Sequence, residues 1–312
     1  MTVITDWTSD KAAAFGRETL QFHHGLHQRP MFSDDALAEM LDRYPRERLG
    51  VFTMGHDLKD WRSWRRGVAD RLSGAELMQA VRNGRIWLNL RHANEHLPEY
   101  AALCEEVFAD KEAHVAGLRT FRRDLGILIS SPSALVFYHL DVPLSSLWQI
   151  RGSKRIWFYP RREPFVADEQ IERFVTQEAE GQFPFQPEWD AAAKMIELNP
   201  GDMVTWAQNA PHRVENGDMV NVSLSMEFMT PAAVFRANIM YANALLRRRF
   251  GATPKIQERP GPVALGKLAI ARAAKASKRR KKVYRPILPP TFTLDPAEPG
   301  VLQPPPMLQA AE

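Results

Sequence analysis

Two side chains that can bind a metal ion lie two positions apart in residues 138–141, which read Tyr-His-Leu-Asp. If these residues end a β-strand, positions i and i+2 point to the same face, so the imidazole of His139 and the carboxylate of Asp141 stand side by side. A second histidine, His212, lies in residues 210–214, which read Ala-Pro-His-Arg-Val. We therefore take His139, Asp141 and His212 as candidate ligands of one metal ion.

Two imidazoles and one carboxylate are the ligand set of non-haem iron(II) oxygenases. Three protein ligands leave three octahedral positions open, enough for a 2-oxo acid that chelates through two oxygens and for dioxygen. Alone, the His-x-Asp triplet is a weak signal, because a partly exposed histidine that only makes a hydrogen bond is the commoner case. The residues that follow the triplet strengthen the metal interpretation.

An ordered set of motifs follows the triplet. Residues 139–160 read His-Leu-Asp-Val-Pro-Leu-Ser-Ser-Leu-Trp-Gln-Ile-Arg-Gly-Ser-Lys-Arg-Ile-Trp-Phe-Tyr-Pro, which puts Lys154 fifteen positions after His139. Residues 198–204 read Leu-Asn-Pro-Gly-Asp-Met-Val and end shortly before His212. In order and spacing, residues 126–230 resemble the JmjC-type hydroxylases, in particular the asparaginyl hydroxylases that act on hypoxia-inducible factor.

This resemblance implies a double-stranded β-helix of the cupin or jelly-roll type, which binds iron(II), consumes 2-oxoglutarate and dioxygen, and oxidises an unactivated C–H bond. By position it implies that Lys154 binds the distal carboxylate of 2-oxoglutarate, a role that suits a compact ammonium group. Without the resemblance, Lys154 would be interpreted as a solvated turn lysine. Ser145 falls where the family has an asparagine near the co-substrate, so its hydroxyl is a candidate second contact. Val136 replaces a hydroxyl residue of the family and cannot donate a hydrogen bond, which leaves the remaining 2-oxoglutarate contacts open.

The hydrophobic pattern predicts an α+β fold. Residues 1–125 are predicted to be a mixed, mainly helical region that packs on the core, with one strand at 86–90. Residues 126–230 form the predicted catalytic core, in which short strands bounded by proline and glycine are typical of a sandwich or barrel. Seven strands are predicted there, at 126–130, 134–140, 146–151, 155–159, 195–198, 202–206 and 220–229.

Helices are predicted to follow the core, in residues 231–285. A long helix should run from 231 to 250, where Gly251 ends it, and a second should span 263–276. The first helix has too many apolar residues for one stripe on an exposed helix. It therefore packs either on the N-terminal region of the same chain or on the same helix of a second subunit in a homodimer. The proline-rich residues 286–312 are predicted to be extended and loosely attached.

The composition is that of a globular protein with a sizeable core, since 45% of the 312 residues are hydrophobic and 25% are charged. The single cysteine, Cys104, excludes an internal disulfide and a cysteine-rich zinc site, and it fits a reducing cytoplasm. The first twenty residues lack the basic start and apolar run of a signal peptide. No stretch reaches the roughly 18 apolar residues of a membrane helix. We therefore expect a cytoplasmic protein without a membrane segment.

The net charge of +4 is unevenly distributed along the chain. Ten basic and no acidic residues lie between Arg259 and Thr293, so the rest of the chain carries −6. The basic character belongs to this C-terminal segment, and the charge of the whole chain is no argument for nucleic-acid binding. Contact with nucleic acid through residues 267–285 is an open alternative that we do not favour.

The predicted function is that of an iron(II)- and 2-oxoglutarate-dependent dioxygenase, a hydroxylase whose substrate is a protein or a small molecule. Demethylation would use the same chemistry, because a hydroxylated N-methyl group is lost as formaldehyde. The alternative is a non-catalytic cupin-fold binding or regulatory protein that contacts nucleic acid through its basic C-terminal segment. The intact set of three ligands favours the enzyme.

Overall fold

The computed structural model describes residues 2–69, 71–176, 183–278 and 289–304. Most of its strands are short, with three to five residues. In chain order the strands are β1 (Leu20–His23), β2 (Gly50–Thr53), β3 (Arg65–Val68), β4 (Ile86–Leu90), β5 (Phe121–Ser130), β6 (Leu135–His139), β7 (Leu144–Arg151), β8 (Lys154–Phe158), β9 (Lys194–Leu198), β10 (Asp202–Thr205), β11 (His212–Asn216), β12 (Asn221–Met229), β13 (Phe292–Leu294) and β14 (Leu302–Gln303).

These strands form two sheets. The larger has the order β1-β10-β7-β12-β5-β4-β2-β3-β13-β14, and the smaller has the order β6-β11-β8-β9. The paired strands of the described residues run antiparallel, except that β13 pairs with β3 in parallel. Side chains of both sheets, including Leu147 of the larger and Ile156 and Val214 of the smaller, share one apolar cluster. The sheets therefore pack against each other, and the predicted α+β class is confirmed.

The seven strands predicted between residues 126 and 230 are confirmed as β5 to β10 and β12, and the strand predicted at 86–90 is β4. Six strands were not predicted: β1, β2, β3, β11, β13 and β14. The first three have only four residues each, too few to establish an alternation. The fourth, His-Arg-Val-Glu-Asn, is mostly polar although it lies inside the smaller sheet, between β6 and β8.

Helices cover the outer face of the larger sheet. A core cluster joins helix residues such as Leu37, Leu77 and Phe108 to sheet residues such as Leu88 and Trp148. The N-terminal region thus contributes helices and also four strands, β1 to β4, to the larger sheet. No helix of the described residues is long and apolar enough to cross a membrane. The helices are α1 (Ser9–Ala14), α2 (Asp34–Arg43), α3 (Gly74–Asn83), α4 (Ala93–His96), α5 (Pro98–His114), α6 (Asp168–Val175), α7 (Pro231–Phe250) and α8 (Pro262–Lys278).

Helix α7 has the predicted bounds. Thr230 caps its N-terminus by accepting a hydrogen bond from the backbone N–H of Ala233. Gly251 ends it with a φ of 63°, in the left-handed region that glycine adopts without strain. The helix contacts α6 and α8 of the same chain, and Tyr241 packs with Ala271 of α8. Its apolar residues are thus largely covered within the chain, and packing on a second copy stays a prediction.

The prediction that residues 286–312 are loosely attached is wrong for residues 289–304. Strand β13 pairs with β3 of the larger sheet, and Phe292 and Leu294 are only 1% and 2% exposed. The ring of Phe292 lies against Gly67, where an added Cβ would be 2.3 Å from a ring carbon. A glycine on β3 therefore makes room for an anchoring aromatic ring. The prediction rested on the proline-rich composition of the segment. Burial of Phe292 and Leu294 nevertheless attaches residues 289–304 to the larger sheet.

Candidate metal centre

The two candidate histidine ligands lie on neighbouring strands. In the antiparallel pairing of β6 with β11, the Cα of His139 is directly opposite the Cα of His212. Opposite residues of such a pair project from the same face of the sheet, and the two imidazole centroids are 4.1 Å apart. Strand β11, which the hydrophobic pattern did not predict, thus brings together two histidines that are far apart in the sequence.

Asp141 completes the group just after the end of β6. Its Oδ2 lies 3.6 Å from Nε2 of His212, and one ligand atom from each of the three residues lies within 4.8 Å of the others. The loop before β11 holds the backbone here, since the side chain of Asn209 donates a 2.7 Å hydrogen bond to the carbonyl oxygen of Asp141. The predicted convergence of His139, Asp141 and His212 is therefore present in the fold.

Each of the two imidazoles directs its Nδ1 atom to a backbone carbonyl oxygen. The Nδ1 atom of His139 lies 2.7 Å from the carbonyl oxygen of Phe137, and Nδ1 of His212 lies 3.0 Å from that of Ala210. A carbonyl oxygen only accepts, so each Nδ1 carries the proton and each Nε2 keeps its lone pair for a metal. Burial lowers the pKa of His212 to about 4, so this ring is neutral at neutral pH and suited to coordination.

A cavity of about 240 Å³ lies between the two sheets, and the three candidate ligands form part of its wall. Much of the remaining wall is apolar, which limits access of water and strengthens electrostatic interactions inside. Its apolar lining includes Leu128, Val136, Leu147, Ile156, Trp206 and Val214.

Lys154 begins β8 and lines the same cavity. The residue is only 5% exposed, so it is not a solvated turn lysine. Within the described part of the chain, its ammonium group has neither an ion pair nor a hydrogen bond, and burial lowers the pKa of Lys154 to about 7. A buried cation without a partner is costly, so this position favours binding of an anion in the cavity.

Ser145, the second residue predicted to contact the co-substrate, does not line the cavity that Lys154 lines. It is buried in β7 at 2% exposure, and its hydroxyl has no hydrogen-bond partner among the described residues. Ser145 does not line the cavity, although its cross-strand neighbour Glu227 does. Its contact with a co-substrate therefore stays a prediction. Val136 lines the cavity with an apolar side chain.

Three charged residues that the sequence analysis did not select lie on one side of the cavity. Arg91 makes ion pairs of 3.2 Å with Asp124 and 3.0 Å with Glu227. Burial raises the pKa of Glu227 to about 7, against the opposing effect of Arg91, and the charges of Asp141 and Asp124 raise it further. The sequence does contain a signal for Glu227. In β12 the polar residues Ser223, Ser225 and Glu227 alternate with apolar residues, which places the three on the same face of the strand.

The basic segment 267–285 is described only as far as Lys278, and residues 279–285 lie outside the described residues. Lys267 is buried and donates a 2.7 Å hydrogen bond to the carbonyl oxygen of Lys255. Lys275 donates a 2.7 Å hydrogen bond to Oδ1 of Asn238. Part of the segment thus packs on the fold, and its contact with nucleic acid stays a prediction.

The fold is similar to solved structures of one bacterial protein. The X-ray structure of E. coli YcfD is 16% identical and covers 96% of this chain and 78% of that chain, with a TM-score of 0.51. A crystal structure of Escherichia coli ribosomal oxygenase YcfD is 17% identical and covers 89% and 69%, with a TM-score of 0.50. At this identity the likeness concerns the fold alone. No family model matches the chain, and no curated protein matches it in sequence.

Proposed function

We propose that this chain is an iron(II)- and 2-oxoglutarate-dependent oxygenase with a double-stranded β-helix core of the JmjC or cupin type, and that it hydroxylates a polypeptide. The observation that carries the proposal is the convergence of His139, Asp141 and His212 in the wall of a cavity that is also lined by Lys154, a buried lysine without an acidic partner among the described residues. The likeness in fold to a protein described as a ribosomal oxygenase supports the same reaction class.

The residues present fit a divalent metal. Two neutral imidazoles with anchored Nδ1 atoms and one carboxylate provide three ligands, and the donor set suits iron(II). When bound, iron(II) supplies oxidation of a C–H bond by dioxygen, coupled to conversion of 2-oxoglutarate into succinate and carbon dioxide. His139, Asp141 and His212 would hold the ion, and the hydrogen bond from Asn209 fixes the backbone at Asp141.

The residues of the cavity also fit 2-oxoglutarate. The Lys154 ammonium group would pair with the distal carboxylate and regain the stabilisation that it loses through burial. Apolar residues such as Leu147, Ile156 and Trp206 exclude water around the chain of the co-substrate. Ser145 is retained as a second candidate contact, because its buried hydroxyl has no hydrogen-bond partner among the described residues.

A polypeptide is the substrate that we favour over a small molecule. The cavity adjoins a second one at the ion pairs of Arg91, so further space lies next to the candidate metal centre. The description of the structurally similar E. coli protein as a ribosomal oxygenase points to a macromolecular substrate. We retain a cytoplasmic location as an expectation from the single cysteine. Demethylation would follow from the same chemistry on an N-methyl group.

Formation of succinate tests the proposal. Wild-type protein incubated with iron(II), 2-oxoglutarate and ascorbate should form succinate even without the true substrate, at a slow uncoupled rate. Asp141→Ala should reduce this to the background level, whereas His56→Ala, a change at an exposed histidine, should not. Absence of succinate from wild-type protein that binds iron(II) would instead support the non-catalytic binding protein.

A further inference from the structure

A second cavity, of about 360 Å³, adjoins the metal cavity. The two share Arg91, Asp124 and Glu227 in their walls, so the ion pairs of Arg91 lie where one cavity meets the other. We call the second cavity the outer cavity. It in turn shares Asn238 and Lys275 with a third cavity between α7 and α8. Three adjoining cavities therefore lie between the candidate metal ligands and the C-terminal helices.

The outer cavity is lined by two cations that have no acidic partner among the described residues. Its acidic wall residues, Asp124 and Glu227, are both bound by Arg91. Arg122 and Lys275 also line the cavity, and neither makes an ion pair with a described acidic residue. The two are near enough to interact, since partial burial and the charge of Arg122 both lower the pKa of Lys275. Two cations that repel each other without a shared anion are a candidate anion site.

The backbone at Arg122 is adapted to this position. Its φ is 52°, in the left-handed region that non-glycine residues rarely adopt. It lies where the pairing of β5 with β12 shifts register, so that Arg122 and Arg123 together oppose Phe228. Such a bulge redirects a side chain and occurs often beside active sites. Arg123 is neutralised by ion pairs with Glu105 and Glu112, whereas Arg122 lacks an acidic partner among the described residues.

The rest of the outer cavity wall favours a peptide over a nucleotide. Recognition of single-stranded nucleic acid relies on aromatic rings that stack on the bases. Apart from the imidazole of His92, the described residues lining the outer cavity include no aromatic ring. The wall is instead largely aliphatic, with Val142, Pro143, Val175, Met229, Val234 and Ala237.

We infer that the outer cavity is the docking site for an acidic peptide segment of the substrate, with a carboxylate held between Arg122 and Lys275. The adjoining residue of the peptide would then pass Arg91, Asp124 and Glu227 and enter the metal cavity. This inference rests on the proposed function for its role in turnover. The site itself consists of residues of this chain that are independent of the metal.

Peptide binding to the full chain tests the inference, measured by fluorescence anisotropy without iron(II) or 2-oxoglutarate. The probes are a labelled (Glu-Ala)5 peptide, a (Gln-Ala)5 peptide of the same length and a ten-nucleotide single-stranded RNA. We expect the acidic peptide to bind most tightly. The double variant Arg122→Gln/Lys275→Gln should weaken its binding by about tenfold, since charge-assisted hydrogen bonds are lost at a partly exposed site. The charge-preserving Arg122→Lys/Lys275→Arg should bind nearly as well as the wild type.

Lys59→Gln is the matched control, because it removes an exposed positive charge at a residue that does not line the outer cavity. Equal binding of acidic and neutral peptides, or an equal loss in the control variant, would overturn the inference. Preferential binding of the RNA with the same dependence on Arg122 and Lys275 would also overturn it, in favour of a phosphate ligand. This binding assay needs no turnover, so its outcome is independent of the succinate assay. Failure of the acidic peptide to bind refutes the docking site, whereas failure to form succinate refutes only the proposed oxygenase.

Discussion

His139 and His212 lie directly opposite each other on β6 and β11, with ring centroids 4.1 Å apart and each Nδ1 within hydrogen-bond distance of a carbonyl oxygen of its own chain segment. This relationship sets both the position and the tautomer of the two rings before any metal binds. It follows that the sheet, and not a metal, positions the two histidines. Loss of a ligand should therefore abolish metal binding without unfolding the protein.

The first prediction concerns the ligands. His139→Ala should abolish iron(II) binding, measured by metal titration, while circular dichroism shows an unchanged fold, since His139 belongs to none of the apolar clusters. Asp141→Glu should also bind poorly, because the added methylene moves the carboxylate by about one bond length, whereas ligand distances tolerate only about 0.2 Å. A His139→Ala protein that binds iron(II) as tightly as the wild type would refute the assignment.

The second prediction concerns 2-oxoglutarate. Lys154→Ala should weaken its apparent affinity roughly ten- to a hundredfold, since a charge-assisted hydrogen bond contributes about 1.5–3 kcal/mol. Iron(II) affinity should change much less. Lys154→Met, which keeps most of the side-chain volume, should show the same loss and so separate charge from packing. If the affinity is unchanged, another cation binds the carboxylate. Arg213 is a poor candidate, as it lies outside the cavity wall and pairs with Asp190.

The third prediction is a pH dependence of 2-oxoglutarate binding. Burial lowers the pKa of Lys154 to about 7 in the free protein, and a bound carboxylate favours the charged form and raises this pKa. Affinity should therefore be highest below about pH 7 and fall as the pH rises above it, by up to about tenfold per unit. Isothermal titration calorimetry between pH 6 and 9 measures the affinity for 2-oxoglutarate. Over the pH range in which the affinity falls, binding should be accompanied by proton uptake. In Lys154→Met the affinity should vary little with pH over this range.

Strands β5 to β10 and β12 and the pair His139 and Asp141 were predictable from the sequence because their signals are local. Each predicted core strand is a short apolar run bounded by turn residues, and the two-residue spacing of His139 and Asp141 identifies them as a candidate ligand pair, although Asp141 lies just after the end of β6. Helix α7 was likewise predictable to its last residue, since Gly251 offers the left-handed conformation that ends a helix. Such signals need no knowledge of tertiary contacts.

The residues around the ligands could not be predicted in the same way. Arg91 meets Asp124 and Glu227 across sequence separations of 33 and 136 residues, and only the order of strands in the larger sheet brings them together. The attachment of β13 likewise depends on a gap above Gly67 that no local pattern reveals. Tertiary packing therefore decided both the shape of the cavity and the place of the C-terminal segment.

The fourth prediction concerns a buried lysine away from the metal centre. Lys111 is fully buried, with its ammonium group over the rings of Phe108, Trp148 and Phe228 and bonded to Ser146. Burial lowers its pKa to about 7, so the unfolded chain binds one more proton between about pH 7 and 10.5. The contribution of Lys111 to folding stability should therefore rise with pH in this window, by up to about 1.4 kcal/mol per unit.

Lys111→Met should accordingly be more stable than the wild type at pH 7, with an advantage that shrinks as the pH approaches 10. Thermal unfolding across this range measures the difference, and Lys59→Met serves as the exposed control. Methionine suits the aromatic surroundings because its thioether packs well on rings. A variant less stable than the wild type at every pH would mean that the cation–π contacts outweigh the cost of burial.

The last prediction tests the anchoring of the C-terminal strand through Phe292 and Gly67. Phe292→Ala should destabilise the protein by about 3 kcal/mol, as expected for loss of a buried ring. Gly67→Ala should also destabilise it, because the new Cβ would lie 2.3 Å from the ring. Gly261→Ala is the control and should not, because its Cβ would meet nothing within 4 Å.

In the Phe292→Ala background the Gly67→Ala change should lower the free energy of unfolding much less, since the clashing ring is gone. Urea unfolding of the wild type, the two single variants and the double variant gives the coupling between Phe292 and Gly67 as a double-mutant cycle. Additive effects would show that Phe292 does not occupy the space above Gly67, and would favour a loosely attached C-terminal segment.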